Sequence, residues 1–185
     1  PQTYALITKW FSILGTLFLI GIVVFIDPIA SIFLRSEEYF SALGIVPIIL
    51  AANLFLGIYN NLSIWYKVTD KTKYGMYISS AGAILTVVLL FTTIPKYGYM
   101  AAAWTTMFVY GLMMLASYLL GQKQYKIPYD IQKIGLYLIL GITMSFVKYY
   151  YFPEAILLGI VFILGYLITI FLMERKNVQA IIKRL

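Results

Sequence analysis

Residues 69–103 read TDKTKYGMYISSAGAILTVVLLFTTIPKYGYMAAA, and this stretch decides the kind of fold. Asp70, Lys71 and Lys73 open it, residues 74–94 carry no charged side chain, and Pro95-Lys96-Tyr97-Gly98 precedes the small residues Ala101, Ala102 and Ala103. A helix of about 20 apolar residues crosses the ~30 Å hydrocarbon core of a bilayer, so residues 74–94 read as a transmembrane helix. Pro-Lys-Tyr-Gly is turn chemistry, because proline presets φ and glycine takes positive φ without a Cβ clash. The stretch therefore predicts a membrane hairpin: one span, a tight turn, and the start of the next.

Working outward, apolar runs of comparable length cover residues 10–34, 42–66, 74–94, 100–120, 134–152 and 155–173. Strand-type alternation is absent, which argues against a membrane β-barrel. The predicted fold is all-α, a polytopic transmembrane helical bundle of six spans. Composition agrees: 62% of the 185 residues are hydrophobic and 11% charged, against about 25% charged in a soluble domain, and the mean hydropathy is +0.89. The longest internal connection, residues 121–133, divides the chain into four spans in 1–120 and a final pair in 121–173, followed by a basic cytoplasmic tail in 174–185. Cysteine and histidine are both absent. That inventory excludes disulfides, the usual zinc sites, a Cys–His pair and a Ser–His–Asp triad. No catalytic, cofactor-binding or metal-ligating residue is assigned. The chain begins at Pro1 without a signal-peptide pattern, and the expectation is a piece of a longer protein.

The net charge of +7 could suggest nucleic acid until the loops are sorted. Lys9, then Lys67, Lys71 and Lys73, then Lys123, Lys126 and Lys133, then Arg175, Lys176, Lys183 and Arg184 fall on one side of a six-span chain. Arg35, Lys96 and Lys148 fall on the other, beside Asp27, Glu37, Glu38 and Glu154. This 11-to-3 division of the 14 basic residues follows the positive-inside rule and places both ends in the cytoplasm. The partner is the lipid bilayer, with no nucleic acid.

Polar and small residues mark the candidate sites. Asn53 and Asn60 are seven positions apart on the second span with Gly57 between them, so all three share one helix face. Amides inside a span are costly to expose to lipid. They form either interhelical hydrogen bonds inside the bundle or a polar cavity wall, with Gly57 leaving a shallow groove. Lys148 lies close enough to the outer end of its span for its stem to snorkel to the surface, with substrate binding as the alternative. Asp27, beside Pro28, reads as a helix-end residue, or else as a proton- or sodium-coupling carboxylate. Gly75, Ser79 and Ala83 form a small-residue stripe at i, i+4, i+8, expected to pack the third span on the fourth.

Two of these motifs carry a resemblance. The polar loop Thr69-Asp70-Lys71-Thr72-Lys73, about 20 apolar residues, and Ile94-Pro95-Lys96-Tyr97-Gly98 leading into a small-residue helix resemble polysaccharide-biosynthesis flippases of the multidrug/oligosaccharidyl-lipid/polysaccharide exporter superfamily. The likeness runs from about Lys9 to Leu120. It implies the C-terminal portion of a transporter with two pseudo-symmetric lobes, an upstream N-terminal lobe of the same protein as partner, and the bacterial cytoplasmic (inner) membrane as location. The implied substrate is an undecaprenyl-pyrophosphate-linked oligosaccharide, moved between leaflets for surface polysaccharide synthesis without a cofactor. The chain departs from the family in lacking a mid-membrane Arg or Lys for the head group. A multidrug or cation antiporter of the same superfamily and a membrane-embedded polysaccharide-pathway enzyme are the alternatives.

Overall fold

The structure is a computed structural model and describes residues 1–33 and 42–182. Arg35, Glu37, Glu38, Lys183 and Arg184, and the end of the first predicted span at Leu34, lie outside the described residues. The described residues are almost all helical, with no strand among them. Its elements are α1 (Gln2–Val24), α2 (Ile26–Phe33), a 3-10 turn (Ala42–Ile45), α3 (Val46–Leu62), α4 (Ile64–Val68), α5 (Lys73–Gln124), α6 (Ile131–Tyr151) and α7 (Ile156–Ile182). Five helices or helix runs are long and apolar enough to cross a membrane.

One of the five is double. Straight, the 52 residues of α5 would extend about 78 Å, more than twice the hydrocarbon thickness. Gly98 breaks the run with φ 62° and ψ −151°, inside otherwise helical backbone. The halves fold back on one another, since a Cβ on Gly82 would lie 2.5 Å from the Met113 sulfur. The anticipated hairpin is present, and it turns on this single glycine. With α5 divided, the described residues present six membrane-length segments.

The small-residue stripe, however, does not make that contact. Ser79 and Ala83 are exposed, while Ile78 and Gly82 are buried. An i, i+4, i+8 series drifts around the helix, whereas 75, 78 and 82 keep to one line. Gly75 is used elsewhere, with the Tyr66 ring 2.8 Å from where its Cβ would be.

The first two spans differ from their predicted outlines. Helix α1 begins at Gln2, eight positions before the apolar run, and the run is broken at Phe25 (φ −102°, ψ 20°), whose N–H still bonds the Gly21 carbonyl. Pro28 falls in the first turn of α2, where a missing N–H costs nothing. The second span divides at Ser63, whose hydroxyl donates to the Asn60 carbonyl at 2.6 Å. After α4 the chain closes through Lys71 N–H to Tyr66 carbonyl at 2.8 Å, with Asp70 at φ 56° in the left-handed position that a Schellman-type cap requires. Asp130 caps α6 by accepting from the Lys133 N–H at 3.3 Å. Helix α7 continues unbroken past residue 173 to Ile182.

Helix α1 lies at the centre. It runs antiparallel to α3, with Phe11 against Gly57 and Leu54 against Gly15. It runs parallel to α6, where Thr16 and Ile20 meet Gly141, and antiparallel to α7, where Val24 meets Gly159. Glycine at these crossings lets backbones approach, which matters in lipid because apolar burial between helices supplies little driving force there. Leu19, Val23, Ala51, Leu54, Ile58 and Leu138 form one buried core. Ile13, Ile20, Val24, Tyr137 and Tyr166 form a second, on the α6–α7 side. Outward faces remain apolar: Phe91 and Leu157 are each 80% exposed, as suits surfaces solvated by lipid.

Candidate functional site

The candidate residues lie on three parts of the bundle. Asn53 and Asn60 are both exposed, on a face of α3 that no helix of the described chain encloses, and Gly57 between them is half-buried. Gly57 does not leave the anticipated groove: the Phe11 ring fills it, with its Cζ 2.4 Å from where a Cβ would sit. The site is thus an amide pair separated by an aromatic ring, at the seam between α1 and α3. The neighbouring Asn61 turns its amide back to the Gly57 carbonyl at 3.0 Å.

Asp27 and Lys148 occupy the opposite end of the bundle from the α4–α5 turn. Asp27 is exposed in the first turn of α2, where a carboxylate complements the positive end of the helix dipole. Lys148 extends toward the end of its helix, as snorkelling requires. Its ammonium does not finish in solvent: it donates to the Pro153 carbonyl in the α6–α7 turn, and the residue is 1% exposed. Beside it, Tyr150 donates from its hydroxyl to the Gly44 carbonyl at 2.9 Å, tying α6 to the start of the second span.

A charge cluster that the sequence reading missed lies at the other end. Glu174 on α7, 1% exposed, is paired with Lys9 on α1 and with Lys133 on α6 at 3.1 Å. Tyr137, one turn after Lys133, donates to the same carboxylate at 3.3 Å. Lys133 also lies 3.7 Å from Asp130 and donates to the Met173 carbonyl at 3.4 Å. A buried carboxylate is stable when it is paired and hydrogen-bonded, and this one has both kinds of partner. Its only trace in the sequence is an acid directly before Arg175, in a region otherwise basic. Nearby, in the segment joining α5 to α6, burial pushes the Tyr129 phenol up to about 12, with Thr8 opposing.

The same end holds Lys67, Lys71, Lys73, Lys123 and Lys126, all exposed. Lys71 donates to the Gln124 side chain, which brings the α4–α5 turn against the end of α5. Trp65, directly beneath, donates its indole N–H to the Ser117 carbonyl at 3.1 Å. Lys96, Lys148 and Asp27 are at the far end, so the described basic residues are segregated as the alternating loops predicted. No group of three or more His, Cys, Asp or Glu that could hold a metal occurs among the described residues.

Comparison with curated proteins and with solved structures returned no match. A family comparison did. Its match ends within the first half of α5, three residues before Pro95, so it takes in the central helix α1 and the amide face of α3 but neither α6 nor α7. The part of the chain that is similar to a known family is residues 1–92, which match the MatE family model.

Proposed function

We propose that this chain forms part of a flippase that carries an undecaprenyl-pyrophosphate-linked oligosaccharide across the bacterial cytoplasmic membrane. In this reading it works with an N-terminal lobe of the same protein, and both ends of the chain face the cytoplasm. The observation that carries the reading is the uncovered amide pair, Asn53 and Asn60, on a helix inside the MatE-matched stretch. Uncharged amides offer both donors and acceptors, which suits sugar hydroxyls and phosphate oxygens without adding net charge. An alternating-access transporter places such groups where its two halves meet. The loop and turn motifs at 69–73 and 94–98 support the polysaccharide branch of the superfamily. The concentration of most described lysines at one end, with Lys96 and Lys148 at the other, supports the orientation.

The test is translocation by the whole protein in vesicles loaded with lipid-linked oligosaccharide. Asn53→Ala with Asn60→Ala should slow it about tenfold or more, from the loss of two hydrogen bonds of about 1 kcal/mol each. The family match supports a multidrug or cation antiporter equally well. Accumulation of a cationic dye driven by a cation gradient, without oligosaccharide transfer, would select that second reading. A membrane-embedded enzyme fits less well, because the matched family consists of transporters.

A further inference from the structure

We infer that the end of the bundle formed by the α4–α5 turn and the last turn of α5 is a binding surface for anionic phospholipid headgroups. Lys67, Lys71 and Lys73 come from the turn, and Lys123 and Lys126 from the end of α5 and the segment after it; all five are exposed. They are distant in sequence and adjacent in space. Lys71 donates to the side chain of Gln124, and Ile127 packs into the same buried cluster as Trp65 and Tyr66. The one acid within these segments is Asp70, so the surface keeps four excess positive charges. Lys67, Lys73, Lys123 and Lys126 form no ion pair among the described residues.

What lies beneath the lysines identifies the partner. Val68, Met76 and Tyr77 are exposed by 46%, 57% and 60%, so an apolar and aromatic collar continues directly from the cationic patch along the membrane-length helix. Trp65, Tyr66 and Tyr74 stack edge-on or tilted behind it. A soluble acidic partner would match the charges but leave the collar uncovered. A phospholipid matches both at once, with its phosphate among the ammoniums and its chains along the collar. Lysines at a bilayer surface each raise the affinity for anionic lipid about fivefold, so three of them acting together produce a clear preference over zwitterionic lipid. The lipid class is therefore one with a net negative headgroup and two acyl chains, such as phosphatidylglycerol.

The full chain reconstituted in phosphatidylcholine vesicles tests this with trace spin-labelled phosphatidylglycerol or phosphatidylcholine of the same chain length. The motionally restricted fraction should favour phosphatidylglycerol about tenfold or more. K67Q/K71Q/K123Q/K126Q, which leaves only Lys73 balanced by Asp70, should bring the two lipids within twofold, K67R/K71R/K123R/K126R should keep the preference, and K96Q at the opposite end should leave it unchanged. High salt should weaken the preference of the unaltered chain, because exposed charges are screened, and this needs no variant to fold. Equal retention of the two lipids by the unaltered chain would overturn the inference. So would a preference that survives K67Q/K71Q/K123Q/K126Q, is lost equally in K96Q, or persists undiminished in high salt.

Discussion

Lys9 and Glu174 stand 165 positions apart and form an ion pair whose side chains are 8% and 1% exposed. Through it α7 is fastened to α1, and Lys133 brings α6 to the same carboxylate at 3.1 Å. The final helix pair, which lies beyond the MatE-matched residues, is thereby joined to a helix within them.

Replacing one partner of this cluster should cost far more than replacing both. Glu174→Gln leaves two buried or half-buried ammoniums facing a neutral amide and should destabilise the protein by about 3 kcal/mol. Lys9→Met combined with Glu174→Met should cost much less, since no unpaired charge remains at Lys9 and Lys133 keeps Asp130 at 3.7 Å. Thermal unfolding of the purified protein in detergent checks the ranking, and equal losses would refute it.

The α5 hairpin makes a backbone prediction. Gly98 has φ 62°, and nothing lies within 4 Å of the position its Cβ would take. Gly98→Ala therefore meets no obstacle except its own dihedral angles, φ 62° with ψ −151°, a combination open essentially to glycine alone, and should cost about 1–3 kcal/mol. Gly98→Asn should cost as much, because asparagine's tolerance of positive φ is confined to ψ near about +45°, and ψ here is −151°. Both unfolding midpoints should fall by similar amounts, and an Asn variant as stable as the unaltered protein would refute the assigned backbone conformation.

Two glycines on α6 should respond in opposite directions. A Cβ at Gly141 would lie 1.8 Å from the Thr16 methyl, whereas at Gly135 it would meet nothing within 4 Å. Gly141→Ala should force α1 and α6 apart and lower stability by about 1–3 kcal/mol. Gly135→Ala should leave stability unchanged or raise it by up to about 1 kcal/mol, the helix-propensity difference. A stabilising Gly141→Ala would show that the two helices are not in the contact described.

Alkaline titration should expose Tyr129. Burial favours its neutral form and raises its pKa from 10.0 to about 12. The associated stability is fully present below pH 10 and is lost as the pH rises from 10 through 12, where the unfolded chain ionises first. Tyr129→Phe should flatten that part of the stability profile, and an unchanged profile would mean that this phenol is not the group responsible.

The membrane architecture was legible because it depends on local chemistry. An uncharged run of about 20 residues has few alternatives to a helix in lipid, and the expected reversal at Pro95 to Gly98 is present, although it is made at Gly98 alone while Pro95, Lys96 and Tyr97 stay helical. The alternation of lysine-rich loops likewise survives without knowledge of packing. Which faces meet was not legible. The hairpin packs through Ile78 and Gly82, one position off the small stripe at Ser79 and Ala83, because in an all-apolar helix every side satisfies the solvent and only shape selects a contact. Phe11 closes over Gly57, and Glu174 collects Lys9, Lys133 and Tyr137, through distances that span most of the chain. Sequence determined where the chain crosses the membrane and how its charges alternate, since each follows from residues within one or two turns. Tertiary structure alone decided which charges are buried, which amides stay uncovered and which lysines gather at one surface, because those depend on helices remote in sequence being brought side by side.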